Sequence, residues 1–328
     1  MDIEQNQDFP FNDNPLGDRL SEEDTIESSF NIGFDNDDAA SKYKPEDYRR
    51  IYTQLQERDT TYVFVFGRES SGKSAMVSGL THYMATTPFG ELTPNSTRKQ
   101  NEQGVRFYND LRRNINVGKF IDRTPTLNKK TITELDLSFT PENRKKMNLT
   151  FLEMSGEDLK KVEIETSSSE PYSGILPDEI NFYLECPEIN LLFILVTSHD
   201  TNEDDDQLLA RFIEYIRELS DNHENPDILL AITKWDTYKD AHKQNVLGYV
   251  NEHLKSTYQK LNSINQGADV VWFSLGDMQI DKTDNSVIAV KELKLESSET
   301  VVTWLYEKIA KEKLFKFKLF RTIFRFFK

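Results

Sequence analysis

The chain has 328 residues, a formal net charge of −16, 37% hydrophobic residues and a single cysteine. That length fits one large α/β domain or two modest ones; the acidity argues against nucleic acid as a partner, and the lone Cys186 excludes an internal disulfide. No apolar run reaches the roughly 18 residues that a membrane-crossing helix needs.

Residues 1–40 hold twelve Asp and Glu against one base, Arg19. Such a segment repels itself and has too little apolar surface to fold alone, so 1–42 is expected to be an acidic tail. Its charge is the opposite of a signal peptide's, and a cytoplasmic location is expected. A helix is predicted from Pro45 to Arg58, with proline in its first turn.

Next comes Thr61-Tyr-Val-Phe-Val-Phe-Gly67-Arg-Glu-Ser-Ser-Gly72-Lys73-Ser74. Strand-favouring residues run into a glycine, and a helical pattern follows from Ala75. Strand, loop and helix around G-x-x-x-x-G-K-S make a phosphate-binding P-loop. Gly67 lets the chain turn off the strand, and Gly72 lets backbone N–H groups approach an anion. The helix N-terminus favours the same charge. Lys73 is then the residue for the β- and γ-phosphates and Ser74 the ligand for Mg²⁺. Glu69, Ser70, Ser71 and Ala75 complete the predicted contact set.

Beyond a break at Thr86–Gly90, residues 95–116 read as an inserted helix. Alternation over 131–139 and the run 147–152 predict an antiparallel hairpin. Glu153-Met-Ser-Gly156-Glu157 ends its second strand, and 157–189 is a long polar connection of the kind that carries function. The near-continuous apolar runs 191–196 and 228–232 predict strands covered on both faces. Helices are expected near 204–220 and 240–263, then a core strand over 269–274, a polar hairpin over 276–296 and a last helix from Ser297. Alternating strand and helix predicts a three-layer α/β fold. His199-Asp200 with Asp204, Asp205 and Asp206 reads as a solvated loop and an acidic helix start rather than a metal site.

Thr233-Lys234-Trp235-Asp236 directly follows the 228–232 strand. Here, together with the P-loop, the chain resembles the P-loop GTPases of the translation-factor and Ras-like class, whose guanine motif is [NT]-K-x-D. The resemblance implies their fold: three layers, a mostly parallel sheet with one antiparallel edge strand, and helices on both faces. It would span 43–310, with insertions at about 87–120 and 157–189. GTP or GDP with Mg²⁺ is the implied ligand set. Asp236 would accept from the guanine N1–H and 2-amino group, with the Lys234 stem along the base and Thr233 at the motif's first position. Ser274 and Leu275 fall where backbone N–H groups meet guanine O6, although Leu275-Gly276 departs from the usual Ala-Lys. Glu153 and Gly156 take the Asp-x-x-Gly positions, for Mg²⁺ and γ-phosphate. Thr126, with Thr124 as the alternative, stands where the switch threonine would close on Mg²⁺. Glu157 occupies the water-orienting place that often holds glutamine, so hydrolysis is expected to be slow or stimulated by an unidentified protein. The catalytic set implied is Lys73, Thr126 and Glu157, and the metal set Ser74, Thr126 and Glu153. The Ser-Ser-Gly-Lys-Ser run is similar to dynamin-type GTPases, and the insertions to bacterial GTPases of regulatory and conflict systems. Two competing readings remain open, a non-hydrolysing binding module and an ATP-using P-loop enzyme.

Residues 311–328 carry seven bases and one acid. On a helical wheel Lys318, Arg321, Arg325 and Lys328 share one face, opposite Phe315, Leu319, Ile323 and Phe326. A basic amphipathic helix is expected, for an anionic membrane interface at the inner face of a membrane or for a protein groove; packing on the domain's own surface is the third option.

Overall fold

The computed structural model describes residues 44–94, 102–120, 132–154, 178–200, 203–218, 227–238, 245–263, 268–280, 287–314 and 323–325. The chain divides into two compact units, Met1–Arg49 and Arg50–Lys328. Of the first, only 44–49 are described. They open helix α1 (Pro45–Gln56).

In chain order the elements are β1 (Thr61–Phe66), α2 (Lys73–Thr86), β2 (Gly90–Pro94), α3 (Glu102–Asn116), β3 (Ile132–Pro141), β4 (Met147–Met154) and α4 (Asp178–Glu185). There follow β5 (Asn190–Ser198), α5 (Glu203–Glu218), β6 (Asp227–Thr233), α6 (Val246–His253), α7 (Lys255–Ser263) and β7 (Asp269–Trp272). The hairpin β8 (Gly276–Ile280) and β9 (Val287–Leu293) precedes α8 (Glu296–Ala310) and β10 (Ile323–Arg325).

Among the described residues one eight-stranded sheet runs β10-β7-β6-β5-β1-β4-β3-β2. Strands β4, β1, β5, β6 and β7 are parallel, so their carboxyl ends share one edge. β3 is antiparallel to β4, as the 131–152 alternation predicts. The central strands are apolar because both faces are covered. Val63 and Val65 of β1 belong to a core with Met76 and Leu80 of α2, Phe107 and Leu111 of α3, and Val301 and Leu305 of α8. Phe64 and Phe66 point the other way, onto Phe212 of α5. The period of two along a strand thus sorts one residue set to each helical layer. This is the three-layer α/β fold expected from the P-loop GTPase resemblance.

The structure extends the sheet at both margins. β2 pairs antiparallel with β3, although Gly90 and Pro94 bracket it with residues poor in strand propensity. The helix expected across 240–263 is two helices, broken at Leu254 (φ −124°, ψ 56°). The new amino terminus is capped from a distance: Asp206 accepts from the N–H groups of Ser256 (2.9 Å) and Thr257 (2.8 Å).

The helix expected over 311–328 needs correcting. α8 ends at Ala310, and Lys311 turns left-handed (φ 56°), as helix C-caps often do. Glu312 is then held by the Lys145 N–H (3.0 Å) and the Tyr306 hydroxyl (2.5 Å), at the β3–β4 turn. Ile323–Arg325 pair antiparallel with Asp269–Val271, filling the β7 edge. An open strand edge offers unsatisfied N–H and C=O groups, and Ile323-Phe324 has the residue types that strands favour. Residues 315–322 and 326–328 lie outside the described residues.

At the base of the hairpin, Arg58 bridges Glu134 (2.7 Å) and Asp136 (2.6 Å) and lies over the Tyr62 ring. Tyr183 donates to the same Glu134 (2.5 Å). Burial and the Glu134 carboxylate together hold that phenol well above its ordinary pKa.

Candidate functional site

The parallel core dictates where the site can be. In sheets of this kind ligands bind beyond the carboxyl ends, where neighbouring connections diverge. β1 lies between β4 and β5, and the loop after it emerges at that edge. The loop is anchored from below by Phe66, whose ring stacks on Phe212 at 3.7 Å.

Gly67 has no room for a side chain: a Cβ there would lie 2.0 Å from the Val196 carbonyl oxygen. Ser70 (φ 63°) and Gly72 (φ 94°) are both left-handed, which curls the loop back over its own strand end. Glu69 and Ser70 are exposed, and Ser71 is buried. The Ser71 hydroxyl finds no hydrogen-bond partner among the described residues. Helix α2 begins at Lys73, so the N–H groups of Lys73, Ser74 and Ala75 are the orphan donors of a helix start.

Lys73 is 6% exposed. Its ammonium donates to the Gly67 (2.5 Å) and Arg68 (2.7 Å) carbonyls, folded back into the loop. Desolvation lowers its pKa from 10.5 to about 8, against the opposing pull of the Glu153 and Glu69 carboxylates. Such a cation, stripped of water, has most to gain from phosphate oxygens. Ser74 donates to the Glu153 carboxylate, which is 1% exposed and aligned with Val65 across the β1–β4 pair. The hydroxyl and the carboxylate expected to share Mg²⁺ are therefore adjacent. Oxygen donors of this kind suit a hard divalent cation, and the orphaned Ser71 hydroxyl suits a phosphate. The loop fits both groups.

The Thr233–Asp236 stretch is tied directly to this loop. Thr233, 3% exposed, donates its hydroxyl to the Ser71 carbonyl (2.5 Å) and reaches the Thr197 carbonyl (3.2 Å). Lys234 is left-handed (φ 55°) and begins a single 3₁₀ turn, Trp235–Thr237. Trp235 is buried against Tyr238 and Tyr249, while Asp236 is exposed. The loop after β7 arrives beside it, with Trp235 N–H on the Phe273 carbonyl (3.4 Å). Of the residues expected at guanine O6, Ser274 gives its N–H to Ser297 (3.2 Å), and Leu275 is buried against Gly79. The Leu275 departure thus has a packing reason: its methyls fill the space that Gly79 leaves.

The sequence-predicted residues Gly67, Glu69, Ser70, Ser71, Gly72, Lys73, Ser74, Ala75 and Glu153 are brought together around one loop. Thr233, Lys234 and Asp236 follow at the end of β6, beyond β5 on the same edge of the sheet. Thr126, Gly156 and Glu157 lie outside the described residues. Sequence reasoning missed the roles of Arg68 and the acidic start of α5. Arg68 pairs with Asp205 (2.9 Å), fastening the loop to that helix, and Asp206 caps α7. It also missed Asp200, which pairs with Lys234 (3.6 Å). Desolvation would raise the Asp200 pKa, but the Ser198 hydrogen bond and the Lys234 charge hold it below the ordinary value. Only spatial proximity reveals such contacts, so no spacing signal could have found them.

Solved structures similar to this chain include the following three. One is Methanosarcina barkeri Roco2 RocCORdC bound to GDP, at 11% identity and TM-score 0.35, covering 77% of this chain and 50% of that one. The second is SsGBP in complex with GDP, at 13% identity and TM-score 0.35, covering 81% and 56%. The third is the signal recognition particle receptor SRb-GTP/SRX complex from Chaetomium thermophilum, at 14% identity and TM-score 0.29, covering 55% and 72%. The chain spans about half the length of the first two. No protein-family model and no curated protein matches it. What characterises the chain is its own geometry, a P-loop, a carboxylate and a Thr-Lys-x-Asp turn at one edge of a three-layer α/β sheet.

Proposed function

We propose that this chain binds GDP and GTP with Mg²⁺ and hydrolyses GTP as a molecular switch. One observation carries the reading: the Thr233 hydroxyl bonds the Ser71 carbonyl, joining the phosphate loop to the turn that bears Asp236. A phosphate-binding loop alone is indifferent to the base. Coupled to a carboxylate two strands over, it can select one. Guanine offers a donor pair to Asp236 that adenine lacks, and a site built for that pair rejects the analogue without it.

Lys73 and the N–H groups of the loop would bind the β- and γ-phosphates, with Ser74 and Glu153 as metal ligands. A divalent cation bound there would neutralise part of the phosphate charge. Water attacks the γ-phosphorus in line; a P–O bond to it forms, the bond to the β–γ bridging oxygen breaks, and GDP leaves. Charge building on the γ-oxygens would be met by the Lys73 ammonium and the preorganised N–H groups. A glutamate at position 157 predicts slow or partner-stimulated turnover.

Competition against fluorescent GDP tests the base assignment: excess GTP should displace it, and displacement by equal ATP refutes guanine selectivity in favour of an ATP-using enzyme. Multiple-turnover phosphate release, abolished in Lys73→Ala, tests hydrolysis. Tight GTP binding with no release would make the chain a nucleotide-dependent binding module.

The basic, aromatic tail 311–328 is proposed to give affinity for anionic membranes at the inner, cytoplasmic face. A backbone paired on the sheet cannot also lie at a lipid interface, so this requires Ile323–Arg325 to leave the β7 edge. Co-sedimentation with anionic and neutral vesicles, comparing the full chain with one ending at Glu312, tests it. Both remaining in the supernatant, with and without GTP, would refute it.

A further inference from the structure

The corner after β5, Ser198-His199-Asp200, has no part in the mechanism above, yet it grips the Thr233–Thr237 segment at three separate points. The His199 N–H donates to the Thr233 carbonyl (3.2 Å). The His199 imidazole meets the Thr237 hydroxyl through Nε2 (2.6 Å). The Asp200 carboxylate, itself held by the Ser198 hydroxyl, pairs with the Lys234 ammonium (3.6 Å).

The hydrogen-bond roles can be worked out. Thr237 has one hydroxyl proton, and it donates to the Lys234 carbonyl (2.8 Å). Its oxygen must therefore accept from imidazole Nε2–H. A donor chain runs from His199 through Thr237 to the backbone of Lys234, and the Asp200 pair takes that same residue by its side chain. Behind the corner, Tyr249 donates to the His199 carbonyl (2.6 Å), and its ring packs edge-on against Trp235 (5.5 Å). His199 also lies against Tyr238 (5.5 Å).

Lys234 needs such support. Its φ of 55° is a conformation that a residue with a long side chain adopts at a cost unless its surroundings impose it. Its side chain is also 43% exposed. We propose that His199 and Asp200 are positioning residues for base binding, which keep Lys234 strained and its stem aimed where the base of a nucleotide would lie. Asp236 is left projecting and exposed. This assignment rests on the guanine-nucleotide reading and extends it to residues outside the Thr-Lys-x-Asp motif.

The test uses the full chain and two probes, GDP for the whole site and pyrophosphate for the loop alone. His199→Ala with Asp200→Asn should weaken GDP about tenfold, the combined scale of an exposed ion pair and one hydrogen bond. Pyrophosphate affinity should be unchanged. In a Lys234→Met background Asp200→Asn should add nothing, because a residue acting through Lys234 has no effect once its target is gone. His199→Gln, which keeps a donor for Thr237, should recover most of the loss from His199→Ala. A double variant within twofold of wild type for GDP, equal loss for pyrophosphate, or additivity with Lys234→Met would each overturn the assignment. If the wild-type chain binds pyrophosphate but no GDP, the guanine reading itself falls, and this assignment with it.

Discussion

The buried Lys73 ammonium gives the P-loop a measurable electrostatic signature in the absence of any ligand. Its pKa falls from 10.5 to about 8, which is worth roughly 3 kcal/mol between the two protonation states. A cation whose folded pKa lies below its unfolded one burdens the fold at low pH. Between pH 8 and 10.5 the unfolded chain binds more protons than the folded one, so stability rises with pH. Below pH 8 the penalty is constant and fully present; above 10.5 it is gone. Lys73→Met removes the titrating group while keeping most of the volume. Urea unfolding of nucleotide-free wild type and variant at pH 7.5 and pH 10 isolates the effect, since every other lysine is common to both. The wild type should gain about 2 kcal/mol on the variant over that interval. Bound nucleotide should flatten the difference, because phosphate oxygens restore the proton. Parallel pH profiles for the two nucleotide-free proteins, or a wild type that loses ground on raising the pH, would show that Lys73 is hydrated in solution and refute the reasoning.

Asp236→Asn should cost about 2–5 kcal/mol of GDP affinity, as truncating a paired charge does, and should admit xanthosine diphosphate, measured by competition; unchanged GDP binding would remove Asp236 from the site. Gly67→Ala places a Cβ 2.0 Å from the Val196 oxygen and should either lower stability by about 3 kcal/mol or more or displace the loop and abolish nucleotide binding. A variant with native melting temperature and affinity would be inconsistent with the loop geometry. Arg58→Met leaves Glu134 and Asp136 without their shared cation and should cost about 3–5 kcal/mol in urea unfolding, partly restored by adding Asp136→Asn. A loss below about 1 kcal/mol would mean that water already screens the cluster.

The sequence made the candidate site legible because its features are local. A glycine-bounded loop after an apolar strand, and a charged tetrapeptide after another, each carry their meaning within a few residues. The strands β1, β5 and β6 were equally readable, since burial on both faces leaves an unbroken apolar run. Contacts made across the fold were not. Asp206 looked like the acidic first turn of its own helix, yet it caps α7, some fifty positions away in sequence. Gly90–Pro94 carries breakers at both ends and becomes a strand only because β3 offers it a partner. The tail misled for a related reason. Its residues alternate as well as they spiral, and the choice at Ile323–Arg325 falls to the free edge of β7, which no helical wheel can represent.

Trp235 stands one residue before Asp236 and is packed against two tyrosine rings that also touch each other. Of the protein's other two tryptophans, Trp304 belongs to α8 and is pinned by its indole N–H to Asp269 (2.7 Å), and Trp272 ends β7. Trp272→Phe together with Trp304→Phe would isolate the emission of Trp235. Trp235 sits on the turn that a base would touch, and both tyrosines can pass excitation to it. The chain therefore carries its own optical probe, and stopped-flow mixing with unlabelled nucleotide can time the arrival of the base separately from that of the phosphates.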